Sequence, residues 1–191
     1  MGKAFIIMLL CGVCTLAAQE QTKQEFHHQI GAAGSLISGM GISYQYIFSD
    51  DYRVKCTGLY YTETKSTDYS GDRTNTEIQA GMEVQKSLFK SNNTRVFAFV
   101  GVGILSSTTF SNVDIDTRAS NKQNYYHTGA GVGLELLVMD RIAFNIEVGA
   151  LYSVRVTSGE IDSPKHSIYE TFSRREVGFG IGGGLGIGYR F

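Results

Sequence analysis

The chain has 191 residues, and its 17 Lys and Arg stand against 18 Asp and Glu, a formal net charge of −1. That balance supplies no clustered basic face of the kind nucleic acid requires. With 23 glycines but a single proline, the composition excludes a collagen-like or low-complexity disordered chain. The length suits one domain with a sizeable core.

In chain order, residues 1–18 read as a cleaved secretory signal. Lys3 gives a short basic start, Ala4 to Ala18 form a largely apolar run, and Ala17 and Ala18 offer a small-residue cleavage site. The run is short for a spanning helix, which needs about 20 apolar residues. Leu10 and Val13 stand where a lipoprotein cysteine needs a small neighbour, so neither Cys11 nor Cys14 is read as a lipid anchor. Both leave with the signal. Cys56 then remains alone and excludes an internal disulfide. Residues 19–25 form a short N-terminal segment, and 26–191 the folded domain.

From there the pattern is period-two alternation, the mark of strands with two unlike faces. Weak alternation predicts a strand over 26–35. Met40, Ile42, Tyr44, Tyr46 and Phe48 mark one over 39–48. Tyr52, Val54, Cys56, Gly58 and Tyr60 mark 52–62, after a tight turn at Ser49, Asp50 and Asp51. Ile78, Ala80, Met82 and Val84 alternate with polar neighbours over 76–87, and 95–105 is apolar on both faces. Alternation resumes over 124–138 and again over 142–156, from Ile142 to Val156. The last strand, 176–191, is the sharpest. Val177, Phe179, Ile181, Leu185, Ile187, Tyr189 and Phe191 are apolar, and their even neighbours from Gly178 to Gly188 are all glycine. Short turns (Asp50–Asp51, Lys90–Thr94, Asp140) alternate with long polar stretches (63–75, 106–123, 157–175), expected to be loops. Only the first connection on the loop side, Ser35 to Ser38, is short.

Short turns at one end and long loops at the other describe an eight-stranded antiparallel up-and-down transmembrane β-barrel, all-β, with its turns periplasmic and its loops outside. A soluble barrel would bury its apolar face instead. Six alternate glycines fit a crowded interior and would only weaken a solvated exterior. Tyr and Phe near strand ends fit interfacial girdles.

The terminus carries a resemblance. Gly186, Ile187, Tyr189 and Phe191 match the assembly signal of the bacterial outer-membrane β-barrel family. With the strand plan, the chain from Phe26 onward resembles its small eight-stranded members, such as the transmembrane domain of outer-membrane protein A and other porin-family proteins. The resemblance implies a Gram-negative outer-membrane location. It also implies lipid bilayer, lipopolysaccharide and the outer-membrane assembly machinery as partners, without nucleic acid.

With the apolar face outward, Arg53, Lys55, Arg155 and Arg190 share the inner face with Glu77, Glu83, Glu135 and Glu147. Eight strands enclose little more than their own side chains, so these charges are expected to pair as a lumen network. The bare glycine face is expected to receive bulky side chains such as Phe97, Phe99 and Tyr125, or else to border a cavity. Gly178, Gly180 and Gly183 fit a dinucleotide motif but lie inside one strand with no helix after it. His27, His28, His127 and His166 show no metal-ligand spacing. Asp162, Ser163 and His166 share a loop without a nucleophile elbow. No catalytic, cofactor-binding or metal residues are therefore assigned. The expected role is a structural or surface-interaction barrel displaying its loops. A narrow gated channel through the charged lumen is the first alternative, and a lipid A-modifying enzyme the second.

Overall fold

The computed structural model describes residues 26–49, 51–67, 71–114, 117–163 and 168–191. The expected signal, the segment 19–25, Asp50 and His166 lie outside them. The strands are β1 (His28–Ser35), β2 (Gly39–Ile47), β3 (Tyr52–Thr67), β4 (Gly71–Lys90), β5 (Thr94–Asp114), β6 (Thr117–Val138), β7 (Ile142–Ser163) and β8 (Ile168–Arg190). Each pairs antiparallel with its chain neighbours, and β1 pairs with β8 to close the barrel. The closing seam runs from Gln29↔Arg190 to Ser35↔Gly184.

The register fixes the faces. Gln45↔Lys55, Lys55↔Glu83, Gly133↔Glu147 and Glu147↔Gly184 put the polar and glycine positions on one side of neighbouring strands. That side is interior, because Glu83, Glu135, Glu147, Lys55 and Arg53 are buried while Ile181 and Phe179 are 82% exposed. Among the described residues, five hydrophobic side chains are buried against fifteen polar or charged ones. A water-soluble domain shows the reverse. Inward parity is odd on β1 to β7 and even on β8, because one strand's register shifts the count.

The described residues of the three expected loops are instead strand. β3 to β8 run 16 to 23 residues, whereas β1 and β2 have 8 and 9. Residues 63–67, 71–75, 106–114, 117–123, 157–163 and 168–175 are paired hairpin arms, such as Glu63↔Asn75 and Asn121↔Gly159. Charges expected on loops therefore sit on paired strands, Lys65 beside Glu63 at 3.3 Å among them. The alternation that marks a strand needs one apolar face. Beyond the apolar band both faces are Ser, Thr, Asn and charge, so the period fades while the pairing continues.

A spanning strand needs about 9–11 residues, so β3 to β8 project past any bilayer as a wall. The β1–β2 hairpin does not project with them. Beyond Ile42↔Gly58 and Ser35↔Gly184 no described strand pairs with the outer stretch of β3 or β8 on that side. Leu59 and Tyr61 have inward parity yet are exposed, because nothing stands opposite them there.

At the other end the β6–β7 turn holds Met139 and Asp140 at φ 52° and 59°. Two successive left-handed residues match the twist of a tight hairpin.

Candidate functional site

The lumen is filled in layers. Nearest the short turns, Glu135 is surrounded by three guanidiniums. Arg53 Nη1 donates to both of its carboxylate oxygens at 2.9 and 3.1 Å. Arg190 Nη2 donates to Oε1, and Arg95 Nε lies 3.3 Å from the same oxygen. Arg190 Nε also donates to Gln29 Oε1 at 3.3 Å. Arg95 Nη2 donates to Gln85 Oε1, which also accepts from Gln45 Nε2 at 3.2 Å. The Arg95 guanidinium lies 4.3 Å from the centre of the Phe97 ring.

One layer further in, Lys55 Nζ sits between two carboxylates, 2.7 Å from Glu83 Oε2 and 2.6 Å from Glu147 Oε1. Gln85 Nε2 donates to Glu83 Oε2 at 3.3 Å, which ties this layer to the arginines. Buried carboxylates need such partners, because desolvation disfavours an isolated charge by several kcal/mol.

Above it lies the feature the sequence reading missed. In the β1–β2 connection, Leu36–Ile37–Ser38, Leu36 stays exposed, but Ile37 and Ser38 fold into the lumen. Ile37 is 1% exposed and forms with Phe97 and Phe99 the buried apolar cluster, against which Leu151 packs. Glycines on four strands make room for it. A methyl on Gly101 would stand 3.2 Å from Ile37 Cγ2, on Gly129 3.0 Å from Cδ1, and on Gly182 3.1 Å from Cγ1. One on Gly81 would overlap the Ser38 carbonyl oxygen.

Polar bonds hold the turn at this depth. Ser38 Oγ donates to Glu83 Oε1, and Thr57 Oγ1 donates to the Ser38 carbonyl. Met40 N donates to Gln79 Oε1 at 3.0 Å, Leu36 N to the Gly183 carbonyl at 3.1 Å, and Ile37 N to Ser35 Oγ at 3.2 Å. Every layer is thus bonded to the next.

The inward residues expected from the sequence divide accordingly. Arg53, Lys55, Glu83, Glu135, Glu147 and Arg190 meet below the turn. Glu77 and Arg155 lie above it, where Glu77 accepts from Gln79 and Arg155 Nη1 reaches Glu176 Oε2 at 3.5 Å. Arg155 also donates to Gln123 at 3.0 Å, and its guanidinium faces the Tyr125 ring, which stacks on His127.

The sequence reading passed over Arg95, although its odd position beside Phe97 and Phe99 gave it the same parity as Arg53. The glycine face of β8 is not filled as expected. Gly184, Gly186 and Gly188 abut Glu147, Asn145 and Gln29, and Gly182 abuts Ile37. Phe97 presses on Gly133 of β6, and a methyl on Gly180 would touch nothing within 4 Å. Asp162 and Ser163 end β7, where Asp162 pairs with Arg118 and Tyr169 in the ladder.

On β7, Phe144, Ile146, Val148 and Tyr152 form a continuous apolar stripe, and on β8 Phe179 to Ile187 do the same. Cys56 is exposed on this face. At the turn end His28 packs on Tyr46 and Phe191 with ring centres 5.3 and 5.7 Å apart, and Tyr46 meets Phe48 edge-on at 4.6 Å. Tyr60, Tyr126, Tyr152 and Phe179 sit at the far margin. An apolar band of spanning length between aromatic margins, around a polar packed interior, defines an outer-membrane-type β-barrel of eight strands.

No protein-family model and no curated protein sequence matches the chain. Among solved structures it is similar to CarO of Acinetobacter baumannii, with 11% identity, 90% of this chain and 100% of that chain covered, and a TM-score of 0.45. It is also similar to Ail, the attachment invasion locus protein of Yersinia pestis, at 17% identity, 86% and 96% coverage, and a TM-score of 0.45. The N-terminal β-barrel domain of Pseudomonas aeruginosa OprF matches at 15% identity, 88% and 100% coverage, and a TM-score of 0.34. The class follows from the chain's own two faces rather than from these likenesses.

Proposed function

We propose that the protein is a non-conducting outer-membrane barrel of structural or surface-interaction type, whose β3–β8 wall stands outside the cell. The observation that carries this reading is the inward turn. Ile37, the Lys55 layer and the Glu135 layer occupy successive levels of one narrow lumen, and each is bonded to the next. A solute would have to break buried ion pairs at two levels, which opposes the channel reading. On the same reading the terminal Gly186, Ile187, Tyr189 and Phe191 address the assembly machinery, and the aromatic margin at Tyr60 and Phe179 meets lipopolysaccharide. Ile187 and Phe191 being exposed on the outer face supports the first of these.

Planar-bilayer recording tests closure. The folded protein is expected to add no step currents across the usual range of voltage and salt. Reproducible unitary steps, absent from mock preparations, would replace this reading with that of a channel. Orientation is tested separately by inserting an epitope after Thr67. Intact cells are expected to bind the antibody, whereas binding only after permeabilisation would put the wall in the periplasm.

A further inference from the structure

At the short-turn end the Glu135 layer opens into a cavity of about 140 Å³, lined by Arg53, Arg95, Arg190, Glu135, Lys90 and Asn92 among others. One water takes up about 30 Å³ of liquid volume, so the space suits a few waters or one small ion. Its electrostatics are one-sided. Three guanidiniums face a single carboxylate, an excess of two positive charges at this level. At the rim the Lys90 ammonium is balanced by Asp51 at 3.4 Å, so the excess stays at two, but it offers a further N–H donor there. The next layer, one ammonium between two carboxylates, returns only one negative charge.

Hydrogen bonding is one-sided as well. Arg95 is 4% exposed and spends Nη2 on Gln85, yet its buried Nη1 finds no hydrogen-bond acceptor among the described residues. Glu135 Oε1 already serves Arg53 and Arg190 and lies within ion-pair distance of Arg95. A buried donor without an acceptor costs about 1–3 kcal/mol, more when charged. Guanidinium forks match oxyanions in geometry and charge.

From these we propose that the turn-end mouth is a binding site for a small oxyanion, a phosphate or a carboxylate group, held by Arg95 and Arg190 with Lys90 at the rim. Arg53 keeps Glu135 in place beneath it. The site does not depend on the lumen being closed further in.

The test is isothermal titration of inorganic phosphate, and separately of acetate, into the folded full chain in uncharged detergent. Ionic strength is held constant with chloride. Saturable one-site binding is expected, at least tenfold weaker in Arg95→Gln and in Arg190→Gln and severalfold weaker in Lys90→Gln. It is expected to be unchanged in Arg174→Gln, whose exposed side chain pairs with Glu176 near the far end of β8. Heat-modifiable migration on gels reports folding of each variant. Lys90→Gln, on a partly exposed side chain, decides the matter where an interior variant fails to fold. Phosphate binding without acetate binding identifies a phosphate site, and binding of both identifies recognition of any oxyanion group. No saturable heat, equal affinity in the arginine variants and the wild type, or equal competition by chloride would each overturn the proposal.

Discussion

Replacing Lys55 with methionine is expected to destabilise the barrel by about 3–5 kcal/mol, the cost of leaving a buried ion-pair cluster without one partner. The ammonium is the cation within bonding distance of both Glu83 and Glu147, at 2.7 and 2.6 Å. Without it two carboxylates face each other in a space that excludes water. Equilibrium urea unfolding in detergent micelles, followed by tyrosine fluorescence because the chain has no tryptophan, measures the loss. The triple variant Lys55→Met, Glu83→Gln, Glu147→Gln is expected to recover most of it, since a neutral layer no longer carries desolvated charge. Glutamine at position 83 still accepts from Ser38. A single variant as stable as the wild type would mean that water reaches this layer and screens it.

The second large effect concerns the inward turn. Gly81→Val is expected to cost about 3–5 kcal/mol, from unburying an isoleucine side chain and losing two or three hydrogen bonds. Its Cβ would overlap the Ser38 carbonyl oxygen, backbone that has no room to yield. Expelling the turn exposes Ile37 and breaks the Ser38–Glu83 and Thr57–Ser38 bonds. Gly180→Val is the matched control. It too faces the lumen from a long strand, but nothing lies within 4 Å of its methyl position. Its cost is expected to stay within about 0.5 kcal/mol. The same unfolding measurement reads both variants, and equal losses would show that glycine at these sites serves the strand backbone rather than the turn.

Much of this architecture was legible in the sequence because a spanning strand writes its two environments in alternate letters. Val177 to Phe191 against six glycines announced both lipid and lumen, and the parity carried to β2, β6 and β7. It was also enough to put Arg53, Lys55, Glu83, Glu135 and Glu147 on one face. Parity says nothing about height along the strand, so it could not separate Arg155 and Glu77 from the residues below the turn. Nor could it say that three arginines converge on Glu135. The polar arms of β3 to β8 escaped because their two faces are alike in water. The turn at Leu36–Ser38 escaped for another reason. Its three residues look like an ordinary tight connection, and the glycines that receive it are spread over β4, β5, β6 and β8. Only closure of the ring brings Gly81, Gly101, Gly129 and Gly182 around one side chain.

That last dependence constrains the order of folding. The seam joins the first strand to the last, with Gln29 and Arg190 separated by 161 positions, and contacts so distant in sequence form late. Ile37 belongs to the hairpin on one side of the seam, while Gly182 and the Gly183 carbonyl belong to the strand on the other. The contacts that seat the inward turn and those that close the ring therefore share the strand at the seam, so that sealing the interior and closing the barrel draw on the same residues.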